Sequence, residues 1–246
     1  MKKFLFVVSM FVILLTMGTV VLASADSPCL GTLEEVEAFT LPYAEPMREE
    51  LLPYSLVANV IVKISSPCDT AFRQQYPSNY AYQTDRALEL ADDYLASEFG
   101  IDYRSVAQPV WNYSASNTTS PRTILNAAIN SHGLTYNGTQ TADLMVAFSG
   151  INPETVIDGE TYIYYGMADD IPADCAIIFD YGLSANAYNV QHETGHLYGL
   201  HHHDDDVLPF PTNPVCVMNS GILTTNYNNL CTPHYEQWED NYNDHS

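Results

Sequence analysis

Residues 192–202 read His-Glu-Thr-Gly-His-Leu-Tyr-Gly-Leu-His-His, and five of them stand at spacings that can build a hydrolytic metal centre. On a helix, residues four apart share a face, so His192 and His196 can direct two imidazoles at one ion. Glu193 follows the first ligand and is placed to take a proton from a metal-bound water. Gly199 is where such a helix can stop, because glycine tolerates the left-handed conformation that turns the chain. The turn brings His202 back as a third ligand and leaves the fourth position of a tetrahedral zinc open to water. Neutral nitrogen donors in this number suit one catalytic Zn2+ best. His202 is the middle member of a run with His201 and His203, so a shifted turn would present a neighbour; the spacing selects His202. The plain alternative is a histidine-rich helix end whose rings are solvated or bound to carbonyls, and the joint offsets of Gly199 and His202 weigh against it.

Downstream, Cys216-Val217-Met218-Asn219 completes a pattern that resembles the metzincin clan of zinc endopeptidases. In that clan a methionine turn lies beneath the metal, which gives Met218 the role of a soft apolar floor rather than a ligand. The Cys-x-Met spacing and an aspartate soon after the third histidine are similar to the adamalysin/reprolysin branch, although His203 intervenes before Asp204. Ser220 stands where astacin-like and serralysin-like members carry a tyrosine ligand, and the additional Cys-x-x-Cys pair of archaemetzincins is absent. The resemblance implies an α+β (α/β-like) catalytic domain over residues 54–246. Its frame would be a twisted mixed sheet of about five strands with an antiparallel edge strand, two or three main helices, the zinc helix and the Met-turn. It also implies a zinc-dependent endopeptidase that hydrolyses protein or peptide substrates, with Glu193 as general base. Only residues 192–218 carry specific motifs; upstream the likeness is one of order and pattern.

The elements that must hold these residues are legible as periodicities. Val57 to Ile64 is a β-branched run that predicts a first strand, and Val106 to Tyr113 predicts a second. Between them, Ala87, Leu88, Ala91, Leu95 and Phe99 recur at helical spacing within Tyr82 to Phe99, with Gly100 as a stop. Ser120 and Pro121 open a second helix that runs to Ser131. Three strands are then expected at Asp143 to Phe148, Thr161 to Met167 and Ala176 to Phe179, followed by the active-site helix from Ala185 to Tyr198. The aromatic strand at Thr161 to Met167 is the expected sheet edge, either open to an extended substrate as an added strand or covered by a loop.

At the N-terminus, Lys2 and Lys3 precede an apolar stretch from Phe4 to about Leu22 and the small-residue site Ala23-Ser24-Ala25. This reads as a signal peptide over residues 1–25, an uncleaved anchor being the competing reading, and it predicts a secreted protein with no membrane attachment after cleavage. Residues 26–53 are polar and punctuated by Pro42, Pro46 and Pro53, as in an N-terminal extension or short propeptide. The whole chain has 8 Lys+Arg against 30 Asp+Glu, a formal charge of −22, and cleavage after Ala25 removes two lysines to give −24. Such a surface repels nucleic acid and anionic membranes. A monomer is expected. The run Asp204-Asp205-Asp206 is either a solvated acidic loop or a Ca2+ site. Asn112, Asn117 and Asn137 begin N-x-Ser/Thr sequons.

Five cysteines remain after such cleavage, an odd count. Export favours disulfides, and Cys216–Cys231 and Cys29–Cys68 are the expected pairs, with Cys175 a buried thiol. Cys29 has a second reading, as a zymogen thiolate that fills the open zinc position. Two other functional readings compete with a peptidase. One is a catalytically silent binding domain on the same fold, which Glu193 argues against. The other is a zinc hydrolase whose third ligand is a distant Glu236 or Glu239, which Gly199, His202 and the prolines at 209, 211 and 214 disfavour.

Overall fold

The computed structural model describes residues 29–32, 60–202, 216–219, 230–242 and 244–245. The expected signal peptide, most of the N-terminal extension and the carboxylate run at 204–206 lie outside the described residues.

Alternation starts the fold. Strand β2 (Val60–Ser65) buries Val60, Val62 and Ile64 on one face while Ile61 and Lys63 point outward. Asp69 caps the short helix α1 (Thr70–Gln75) by accepting from the Phe72 amide at 2.7 Å. Helix α2 (Tyr80–Phe99) buries the expected stripe and ends at Gly100, whose φ of +71° allows its N–H to reach the Leu95 and Ala96 carbonyls. The chain then enters β3 (Ile101–Ala107) at once, parallel to β2, with Val60 opposite Ile101. The second strand therefore lies upstream of the predicted Val106 to Tyr113. Ile101 and Tyr103 supply its buried face, and Pro109, which has no N–H to donate, follows its end.

Helix α3 (Pro121–Ser131) has the expected bounds, with the Ser120 hydroxyl accepting from the Thr123 amide at 3.3 Å. A two-stranded ribbon, β4 (Thr135–Tyr136) and β5 (Gln140–Thr141), leads to β6 (Leu144–Ser149). All six residues of β6 are buried, which places it at the centre of the sheet and contributes about 1.5–3 kcal/mol for each large apolar side chain. A hairpin of β7 (Glu154–Ile157) and β8 (Glu160–Ala168) precedes β9 (Cys175–Phe179). The helix α4 (Leu183–Leu197) and, near the C-terminus, α5 (Thr232–Asn241) complete the described elements.

The sheet runs β1-β8-β9-β6-β2-β3, where β1 is Cys29–Thr32 and β7 pairs with β8 off this path. It has seven described strands rather than about five, because β1 and the hairpin strand β7 join it. Strands β3, β2, β6 and β9 are parallel, and β8 is antiparallel to β9, as the aromatic strand was expected to be. Its outer edge is not open: β1 pairs with it antiparallel, with Leu30 opposite Tyr164 and Thr32 opposite Tyr162. Helix α4 packs against α2, β8 and β9, and every residue from Ala185 to Leu197 is buried. The chemistry-bearing helix is the innermost one. No helix among the described residues is long and apolar enough to cross a membrane.

Candidate metal centre and catalytic residues

The start of α4 is fixed by a buried polar knot. The Asp180 carboxylate accepts from the Asn186 amide at 2.6 Å, from the Gly182 N–H at 3.1 Å and from the Tyr76 hydroxyl at 3.3 Å. Farther along, Gln191 donates to the Ala91 carbonyl on α2 at 3.1 Å. These bonds set the rotation of the helix, and its inner face then presents His192, Glu193 and His196.

The three expected ligands converge. Nε2 of His192 lies 3.2 Å from that of His196 and 3.1 Å from that of His202, and the third side of the triangle is 3.0 Å. A point about 2 Å from all three nitrogens exists just off this triangle, which is the bond length a zinc–imidazole site requires. The second ring nitrogens decide the tautomers. His192 Nδ1 is 2.6 Å from the Val217 carbonyl and His196 Nδ1 is 2.7 Å from the Leu200 carbonyl. A carbonyl only accepts, so each Nδ1 carries the proton and each Nε2 turns a lone pair inward. Lone pairs at this separation repel unless a cation sits between them. The donor set therefore fits zinc.

Burial acts in the same direction. It lowers His192 to about 4 and His202 to about 3, and holds His196 well below the usual imidazole value. All three rings are thus neutral, as ligands must be. His202 is buried beside the other two rings, whereas His201 is exposed; His203 lies outside the described residues. Glu236 and Glu239 sit on exposed positions of α5, outside the cluster of His192, His196 and His202.

The turn after α4 forms as its sequence implies. Gly199 has φ of +88°, and α5 holds the turn from outside: Gln237 donates to the Gly199 carbonyl and Asn241 to the Tyr198 carbonyl, both at 2.7 Å. Beneath the rings, the Met-turn closes through the Asn219 N–H on the Cys216 carbonyl at 3.1 Å. Its Val217 carbonyl also accepts from the Tyr188 hydroxyl at 3.0 Å.

Two glycines matter that spacing did not single out. A side chain at Gly195 would begin 2.6 Å from the Met218 sulfur, so the bare α-carbon inside the helix is what lets the methionine rise against it. A side chain at Gly166 on β8 would begin 2.5 Å from Glu193 Oε1. The buried carboxylate therefore lies directly against β8, between the sheet and the histidines' helix. Glycine in a strand signals close approach, and that was the available clue.

The cysteines depart from expectation. Cys216 and Cys231 come together but are not joined, and Cys68 is also a thiol rather than the partner of Cys29. Cys29 lies on β1 at one side of the sheet, whereas Cys68 bridges Val110 and Phe148 beyond β6, which separates the second pair. Cys175 is a buried thiol, as expected. A ring joins the first pair: His234 Nδ1 lies 3.4 Å from Cys216 Sγ and 3.2 Å from Cys231 Sγ.

No family model and no curated protein matches the chain. Solved structures do. Metalloproteinase-II from Bacteroides fragilis superposes with a TM-score of 0.52 at 13% identity, over 84% of this chain and 60% of that one. This chain thus spans less than two thirds of the Bacteroides protein. Archaemetzincin from Methanopyrus kandleri aligns with a TM-score of 0.47 at 17% identity, over 74% of this chain and 95% of that one. The mixed sheet with its innermost helix is thus similar in fold to the Bacteroides metalloproteinase.

Proposed function

We propose that this chain is a secreted zinc-dependent endopeptidase in which His192, His196 and His202 hold the metal and Glu193 is the general base. The observation that carries the reading is the triangle of Nε2 atoms with a buried carboxylate on the same helix. A zinc ion bound there supplies Lewis-acid polarisation of the scissile carbonyl and of the attacking water.

The remaining steps belong to the protein. Glu193 takes the proton of the attacking water and passes it to the leaving amine, so one carboxyl group serves as base and then as acid. Gly166 leaves room for that carboxylate to stand against the sheet. The Val217 and Leu200 carbonyls keep the rings aimed while protons move.

An extended peptide would bind along the outer edge of β8 by strand addition. Residues 29–32 occupy that edge, which supports reading residues 26–53 as a propeptide that leaves before substrate enters. Within the clan, the Cys216-x-Met218 turn supports the adamalysin/reprolysin branch as the finer assignment. Monomeric action on proteins or peptides, and Ca2+ at the 204–206 carboxylates, complete the proposal.

Glu193→Gln keeps the shape of the side chain and removes the base. It should retain about one zinc at the triad while hydrolysis of an unfolded protein substrate falls by at least roughly 10²-fold. Near-normal turnover in that variant would sink the mechanism, and equal inactivity of the zinc-loaded wild type would favour the silent binding domain.

A further inference from the structure

A second cluster of ligand atoms lies outside the histidine triad. Cys216 opens the Met-turn, Cys231 is the N-cap residue of α5, and His234 sits three residues into that helix. The three-residue spacing places Cys231 and His234 on one side of the helix start, and packing brings Cys216 to meet them. Their ligand atoms all lie within 4.8 Å of one another, and all three residues are buried. The ring nitrogen stands 3.2 and 3.4 Å from the two sulfurs. Tetrahedral zinc bonds sulfur at about 2.3 Å and nitrogen at about 2.0–2.1 Å, which sets sulfur-to-nitrogen separations at roughly 3.6 Å. The observed distances lie just inside that span.

We propose that Cys216, Cys231 and His234 form a second metal site, distinct from the hydrolytic centre, that takes a zinc ion. Two soft sulfurs and one imidazole converging on a point select zinc over calcium or magnesium, which take oxygen ligands. All three residues are buried, as the ligands of a structural site are. They would leave one position of a tetrahedral ion to a fourth ligand. An ion there would fasten the Met-turn to α5, the helix that holds the Tyr198 and Gly199 carbonyls. Val217, next to Cys216, holds His192 through its carbonyl, so the second ion would also steady the first.

The inference stands on the cluster's own geometry and does not rest on the peptidase reading. Full-length reduced protein is loaded with cobalt(II), bound metal is counted, and the thiolate-to-cobalt charge-transfer band is recorded. Two equivalents with a strong band are expected. Cys231→Ser should keep one equivalent and lose the band, with the affinity of the remaining site lowered by roughly 10–100-fold. His196→Ala should keep one equivalent and the full band. His234→Cys adds a third thiolate, and the band should intensify, which decides the matter if Cys231→Ser fails to fold. A single equivalent without the band, a band that survives Cys231→Ser, or one left unchanged by His234→Cys overturns the site. So does a Cys216–Cys231 cross-link in peptide maps of the unreduced, metal-loaded protein.

Discussion

The two ligand clusters are built on opposite plans. The histidine triad spans only 192–202, one helix end and its turn, whereas the cysteine cluster joins residues 216, 231 and 234 from a turn and a separate helix. One is all nitrogen, with two of its rings aimed by backbone carbonyls and a carboxylate beside them. The other brings two sulfurs and a single ring together. Local spacing suffices for a site that must stay open and carry a base. A site that fastens two segments has to draw its ligands from both. The four-residue Met-turn belongs to each: Cys216 serves the second cluster, while Val217 and Met218 serve the first.

The sharpest way to break this contrast is to remove the ligand that makes the first cluster a triad. His202→Ala leaves two helical histidines four residues apart and no third nitrogen. Zinc at the triad should become undetectable in metal analysis after dialysis, and hydrolysis should vanish with it. His201→Ala, at an exposed neighbour, should leave metal and turnover unchanged. If the two variants behave alike, the turn does not deliver His202 and the assigned register is wrong.

A smaller effect separates the base from the metal. Gly166→Ala would place a methyl group 2.5 Å from Glu193 Oε1 and 2.7 Å from its Cγ, so the carboxylate must move. The metal nitrogens lie on the other residues and are untouched. Turnover should fall by roughly 10–100-fold, the cost of displacing a reacting group by about 1 Å, while zinc content holds. Loss of zinc together with activity would show that Gly166 supports the whole helix rather than the base.

How far these features were legible follows from their range. His192, Glu193 and His196 were readable because helix pitch fixes which residues share a face, and His202 because Gly199 marks the turn that returns it. Helices α2 and α3 were readable because Gly100, Ser120 and Pro121 punctuate them. The second strand was misplaced because Val106, Val110 and Trp111 look stronger than Ile101 and Tyr103, yet parallel pairing with β2 begins directly after the Gly100 turn. Gly166 and Gly195 were passed over because their importance lies in what a missing side chain would strike, which no spacing encodes. His234 was missed for a related reason. Counting cysteines pairs thiols with each other, and nothing in the count reveals a ring that packing brings beside them.

The smallest expected change tests the one residue that stands between the clusters. Met218 is fully buried, and its sulfur packs where a Gly195 side chain would have been. It is two residues from Cys216 and one from the carbonyl that orients His192. If its work is packing, Met218→Leu keeps nearly the same volume and should cost less than about 1.5 kcal/mol. In a domain of this size that is a fall of no more than about 6 °C in Tm by calorimetry of the metal-loaded protein. Metal content should stay at the wild-type value, because the sulfur is not a ligand in either cluster. Gly195→Ala is the matched opposite: it leaves Met218 in place but drives a methyl to 2.6 Å from its sulfur, so it should cost more than the leucine does. The reverse ranking, or loss of metal on Met218→Leu, would mean that the thioether itself matters to the ions and that the Met-turn is more than a floor.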